Sequence, residues 1–157
     1  MATDAEMTAM KRRQFLARSA AAFAVVTLRP VHALATANVL AGLVRSYAGS
    51  GTVTEGRVQF RIDPLVENGN SVPVEVLVDS PMTTAQHVVG IAIFNEKNPE
   101  HDVGVFTLSP FAGRARVATR IRLASSQQLI AVAKMNDGSC WTKTVEVLVT
   151  VSSCIEE

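Results

Sequence analysis

From residue 57 to residue 151 the chain repeats one pattern: short runs of alternating apolar and polar residues, separated by turn residues. Successive side chains of a strand point to opposite faces, so a period of two commits these runs to half-buried strands. Val58, Phe60 and Ile62 alternate with Arg57, Gln59 and Arg61. Val72, Val74, Val76 and Val78 follow, with Pro73 near the strand start, where a missing donor does least harm. Residues 88–94 are apolar on both faces, as in the middle of a sandwich. Runs at 103–108, 114–123, 129–135 and 141–151 complete the set. In 114–123, Ala115, Val117, Thr119, Ile121 and Leu123 face one way, and Arg114, Arg116, Arg120 and Arg122 the other. The punctuation is turn chemistry: Glu67-Asn68-Gly69-Asn70, Ser80-Pro81, a polar loop at 95–102, and the hairpin signal Asn136-Asp137-Gly138-Ser139. About seven strands with no helices between them predict an all-β fold, an immunoglobulin-like antiparallel β-sandwich. Phe106 and Trp141 are expected in its core.

Upstream of the strands the period differs. Val39, Leu40, Leu43, Val44 and Tyr47 recur at three- and four-residue spacing, which predicts a short helix over 38–48 ended by Gly49 and Gly51. Before it, Lys11-Arg12-Arg13-Gln14-Phe15-Leu16 leads into an apolar run at 19–28, then into small residues with cleavage-type sites at Ala33-Leu34-Ala35 or Ala35-Thr36-Ala37. The order is that of an export signal. The apolar run is about half the ~20 residues of a spanning helix, and paired arginines before Phe-Leu resemble a bacterial twin-arginine signal. The expected organisation is a twin-arginine signal peptide at 1–35, a β-sandwich domain at 36–151 and a short arm at 152–157. The exported protein would be periplasmic, with no membrane segment in its mature form.

Charge narrows the function classes. Residues 1–35 hold five of the fifteen Lys+Arg and two of the fourteen Asp+Glu, which leaves a body of net charge −2. A near-neutral body has no basic patch of nucleic-acid size. The chain contains no H-E-x-x-H, C-x-x-C or G-x-S-x-G motif. No histidine follows either cysteine, as a blue-copper site would need, and His87 and His101 are left as isolated loop residues. The arginine face of 114–123 reads as a wet sheet face, or as a surface for a partner or an anionic cargo.

Two cysteines remain, Cys140 and Cys154. They lie at the start and just past the end of one predicted strand. Fourteen residues of strand span roughly 46 Å, and a disulfide tolerates at most ~7 Å between Cα atoms. Cys140 is therefore expected to be buried beside Trp141 as a small apolar residue. Cys154 is expected to be a free thiol on a tail, which suits a carrier that inserts its arm into another protein's cleft. An inert tail cysteine fits the composition equally well.

Taken together, ENGNSVPVEVLVDSPMT (67–83), HVVGIAIFNEKNPEHDV (87–103), AGRARVATRIRLASSQQLIAVAKMNDGS (112–139) and VTVSSC (149–154) resemble the SoxY family, the sulfur-carrying subunit of the bacterial thiosulfate-oxidising Sox system. The resemblance implies an immunoglobulin-like sandwich that pairs with a SoxZ subunit as a heterodimer. It implies that Cys154 is the covalent attachment point of the cargo, with Ser152, Ser153 and Ile155 in the carrier arm. It further implies loading as an S-thiosulfonate by the haem-containing SoxAX, hydrolysis by SoxB and oxidation by a sulfane dehydrogenase. The carrier would have no catalytic residue, no metal and no cofactor beyond the sulfur adduct, and would not be an enzyme.

The family's arm is close to G-G-C-G-G, whereas this chain has Ser152-Ser153-Cys154-Ile155-Glu156-Glu157. Serine stiffens the arm relative to glycine. The two glutamates oppose both the thiolate and an anionic cargo. Two alternatives follow. One is a partner-binding sandwich paralogue with altered or lost cargo; the other is a thiol redox protein using Cys154 with Cys140.

Overall fold

The computed structural model describes residues 31–151, with side chains from residue 39 onward. One helix, α1 (Val31–Ala48), precedes nine strands: β1 (Val53–Glu55), β2 (Val58–Arg61), β3 (Leu65–Asn68), β4 (Val72–Val78), β5 (Val88–Asn95), β6 (Asp102–Thr107), β7 (Ala115–Ile121), β8 (Gln127–Met135) and β9 (Cys140–Val151). They form two facing sheets. The larger has the order β1-β9-β8-β5-β6, with β3 also on β9, and the smaller is β2-β4-β7. The expected two-sheet sandwich is present.

The alternating valines drive it. Val72, Val74, Val76 and Val78 of β4 and Val58 and Phe60 of β2 point inward and meet Ile91, Ile93, Leu129 and Val147 of the larger sheet. Filling this space with β-branched residues suits a pleated, half-buried surface. Pro73 is tolerated because β2 pairs only with residues 75–78 of β4 and leaves the Pro73 end without a neighbour on that side.

The expectation for 88–94 needs a correction in its cause. This strand is buried on both faces not because a second sheet or a partner covers the outer one, but because α1 does. Leu40, Val44 and Ala48, four residues apart on one helix face, pack on Ala92, Phe94, Ile130, Val132 and Cys140. The layers are helix, six-stranded sheet, three-stranded sheet. Val39, expected in the apolar stripe, is instead 39% exposed. The helix begins at Val31, seven residues before the predicted start and ahead of both cleavage-type sites. Val31-His32-Ala33-Leu34-Ala35-Thr36-Ala37 holds no Gly or Pro and is rich in alanine, the strongest helix former. Gly49, at φ 64, ends the helix as expected, and its N–H bonds the Arg45 carbonyl at 2.9 Å.

The sheet is also not purely antiparallel. β1 and β3 both run parallel to β9, pairing Val53 with Cys140 and Leu65 with Leu148. Between these visits the chain crosses to the smaller sheet for β2, through Gly56 (φ 129) and Arg57 (φ 54). Three-residue and four-residue runs such as β1 and β3 are too short to show a period, so the expected turn at 67–70 instead holds the end of β3 and turns at Gly69-Asn70. There the Asn68 side chain accepts from the Asn70 N–H at 2.9 Å. Among the described residues no helix is long and apolar enough to cross a membrane.

Candidate functional site

Ser152, Ser153, Cys154 and Ile155 lie outside the described residues. What the structure defines is the root from which they leave, and it is anchored from every side. Strand β9 holds register with β8 from Cys140 to Val147 without a bulge, and with β3 from Leu148 to Val151. The Gly69 N–H donates to the Val151 carbonyl at 3.0 Å, and the Leu123 N–H donates to the Gly69 carbonyl at 2.8 Å. Ser126 Oγ bridges the Val149 backbone, accepting from its N–H at 2.9 Å and donating to its carbonyl at 3.4 Å. Thr150 Oγ1 donates to the Glu67 carbonyl at 3.1 Å.

Gly69 is buried between the two sheets at this point. A Cβ there would collide with the Leu123 carbonyl oxygen and lie 3.2 Å from Val149 Cγ1. Only glycine lets the β3–β4 turn fit between the end of β9 and the end of β7.

A second brace comes from the 95–102 loop, which the sequence presents as merely polar. Asn95 and Gln127 are buried. Asn98 Nδ2 donates to the Arg122 carbonyl at 2.8 Å, its Oδ1 accepts from Gln127 Nε2 at 2.8 Å, and the Lys97 N–H donates to Gln127 Oε1 at 2.9 Å. Lys97 Nζ reaches the Ser126 carbonyl at 2.7 Å. Buried amides of this kind hold geometry when every partner is present. They tie the start of β8 to the end of β7 at the end of the sandwich where the arm departs. The sequence signal was the unusual density of Asn, Gln and Ser at 95–98 and 125–128, which a reading by hydrophobic period does not weigh.

The histidines serve loops. His101 Nδ1 lies 3.1 Å from the Asn95 carbonyl, and His87 Nδ1 lies 3.0 Å from the Thr83 carbonyl. Among the described residues no three His, Cys, Asp or Glu side chains gather as metal ligands would.

Cys140 is a free thiol and fully buried. It faces α1, however, while Trp141 faces the inter-sheet core with the Arg57 guanidinium 4.6 Å from its ring centre. The two residues are neighbours in sequence on opposite faces of β9, so the expected side-by-side packing is corrected by strand alternation. Phe106 is only partly buried against the core. Burial pushes the Cys140 thiol above its ordinary value, partly offset by Lys134. Such a thiol is a poor nucleophile near neutrality. Geometry also separates it from Cys154. Strand β9 runs twelve residues from Cys140, which at ~3.2 Å per residue is about 35 Å. The three residues that follow can recover only ~11 Å, so an intramolecular disulfide is out of reach wherever the arm lies.

The arginine face is exposed as expected. Glu75, next to it on β4, accepts from Arg61 Nη1 at 3.1 Å and from Arg116 Nε. The hydrogen bond from Arg116, with support from Arg61, holds the Glu75 carboxyl below its ordinary range.

Comparison with known proteins gives a consistent answer. Residues 44–154 match the family model described as "Sulfur oxidation protein SoxY", a match that ends on Cys154. Among solved structures the chain is similar to the sulfur carrier protein SoxY from Chlorobium limicola f thiosulfatophilum, with 28% identity and a TM-score of 0.62, over 73% of this chain and 99% of that one. It is also similar to the superoxide reductase (neelaredoxin) from Ignicoccus hospitalis, with 20% identity and a TM-score of 0.53 over 60% of this chain and 80% of that one. For a superoxide reductase from Nanoarchaeum equitans the values are 11% and 0.52, over 62% and 99%. At these identities the reductases share the fold alone. No curated protein sequence matches the chain.

Proposed function

The chain belongs to the SoxY family, and from that premise we propose that it is a periplasmic sulfur carrier, holding thiosulfate-derived sulfur covalently on Cys154 and catalysing nothing itself. The observation that carries this reading is the contrast between the two cysteines. Cys140 is sealed under α1, while Cys154 follows a strand braced up to Val151. A rigid root with a thiol three residues beyond it can present cargo to a cleft without the sandwich entering. Loading joins the Cys154 sulfur to the outer sulfur of thiosulfate. The thiol loses its proton, two electrons leave to a haem acceptor of the SoxAX type, and Cys154 becomes an S-thiosulfonate. Hydrolysis of the kind performed by SoxB would then release sulfate and leave a persulfide for a sulfane dehydrogenase.

A SoxZ-type subunit is the proposed partner, on the strength of family membership. The apolar outer face of β5 is occupied by α1 and adds no argument for that partner. Export by the twin-arginine route rests on Arg12-Arg13 and the apolar run that follows. Ser152, Ser153 and Ile155 make this arm stiffer and wider than a glycine-rich one, so loading should be slower than in carriers with that arm.

Intact-mass and peptide mass spectrometry of protein from thiosulfate-grown cells tests the reading. We expect sulfur or thiosulfonate mass on the peptide containing Cys154, absent in Cys154→Ser, whose melting temperature should match that of the parent. A thiol that stays unmodified in cells oxidising thiosulfate would refute the carrier role and leave a partner-binding paralogue.

A further inference from the structure

We propose, resting on the carrier reading, that the outer face of the smaller sheet is a docking site for the acidic end of this chain's own arm, Glu156 and Glu157. Arg116 and Arg120 of β7 and Arg61 of β2 are exposed on this face, and Arg114 and Arg122, which flank β7, are exposed as well. Arg61, Arg116 and Arg120 rim a shallow depression of about 720 Å³ that Pro73 and Ala118 also line. Two carboxylates line it too, and both are engaged: Glu75 by Arg61 and Arg116, and Asp63 by the Leu65 N–H at 3.0 Å. The arginines toward the arm are in a different state. Arg120 reaches only the uncharged Ser71, at 3.3 Å to its Oγ and 3.5 Å to its carbonyl. Among the described residues neither Arg120 nor Arg122 pairs with a carboxylate. At the end of this face nearer the arm, the described residues thus leave two guanidiniums, each a planar fork suited to a carboxylate, without one.

Position and length name the occupant. Gly69 bonds Val151 at the arm's root, Ser71 lies two residues further on, and Ser71 is where the Arg120 guanidinium rests. The path from Val151 to Arg120 is therefore on the order of 15 Å. Glu156 is five residues beyond Val151 and reaches ~17 Å before its side chain is counted. The arm carries two adjacent carboxylates and starts near two arginines, Arg120 and Arg122, that hold no carboxylate among the described residues. Docking would pair those carboxylates with guanidinium, so they would no longer oppose the Cys154 thiolate. Exposed ion pairs are weak, so two of them bias the arm toward the face by roughly thirty-fold at most, and salt should release it.

A nitroxide spin label on Cys154 of the mature, isotope-labelled protein tests this, since buried Cys140 will not take the label. At low salt the label should broaden the amide signals of residues 116–120 well beyond those of β6. The effect should vanish at ~0.5 M NaCl, where the screening length falls to ~4 Å. It should vanish equally in E156Q/E157Q and in R120Q/R122Q, and return when charges are exchanged in R120E/R122E/E156R/E157R. Broadening that ignores salt and charge, or none at all, would overturn the proposal. So would transfer of the effect from labelled to unlabelled chains in a mixture, which would make a second copy the occupant. Shifts of the arginine Nε signals by a glutamate-rich peptide in trans, with no broadening from the label, would assign the face to an acidic partner and equally overturn it. Sulfur loading of Cys154, read separately by mass, keeps failure of docking distinct from failure of the carrier reading.

Discussion

Replacing Gly69 with alanine should loosen the root of the arm and destabilise the whole sandwich. The added Cβ would overlap the Leu123 carbonyl oxygen, a main-chain atom that cannot swing aside, and would crowd Val149 Cγ1 at 3.2 Å. Relief requires the β3–β4 turn to move out. That strains or breaks two hydrogen bonds, Gly69 to Val151 and Leu123 to Gly69. Each is worth about 1 kcal/mol net, and overpacking of this kind costs ~1–3 kcal/mol. We expect a loss of ~2–4 kcal/mol, less where the end of β9 detaches locally rather than forcing the core apart. With a urea m-value of ~1.5 kcal/mol/M for a domain of this size, the midpoint should fall by about 1–3 M. Amide exchange should accelerate first at Gly69, Leu123 and Val149, whose N–H groups bond Val151, Gly69 and Ser126 around this junction. A G69A midpoint within ~0.3 M of the parent, with unchanged exchange at those three amides, would refute the argument that close approach at Gly69 locks the arm's root.

Thiol titration of the native protein should find one fast-reacting cysteine, Cys154, with Cys140 reacting only in denaturant; two fast thiols would contradict the packing of Cys140 under α1. Cys140→Ser places a hydroxyl in the apolar layer between α1 and the larger sheet, so urea unfolding should show a loss of ~1–2 kcal/mol. Glu75 has a carboxyl pKa lowered in the fold by Arg116 and Arg61, so its contribution is present above the ordinary glutamate value and lost as pH falls through the lowered one. Melting temperature followed between about pH 5 and pH 3 should therefore decline less steeply in Glu75→Gln than in the parent; parallel curves would remove the ion pairs from the account of acid stability. Changing Arg12 and Arg13 to lysine should leave the precursor in the cytoplasm, and normal periplasmic accumulation of that variant would sink the twin-arginine assignment.

The period of two made most of the strands legible, because burying one face of a strand requires alternation whatever lies opposite. Val72 to Val78, the Asn136–Ser139 hairpin and the wet arginine face all follow from residues a few positions apart. Cys140 was rightly read as buried because a strand keeps it from Cys154 and leaves it as a small apolar residue. What covers it was not legible. A run apolar on both faces, such as β5, states that two layers exist without naming them, and only the tertiary structure assigns the outer one to α1. β1 and β3 were invisible because three or four residues carry no period, and their hydrogen bonds come from β9, more than eighty residues away in sequence. The buried Asn95–Gln127 network was hidden for a related reason: polar residues read as solvated until the fold places partners around them. Gly69 looked like turn chemistry, and its larger role, a gap just wide enough for main chain between β9 and β7, exists only once both strand ends meet. Alternation is a property of neighbours along the chain and is written in the sequence. Adjacency of segments distant in the chain depends on how the layers close, and only the folded structure decides it.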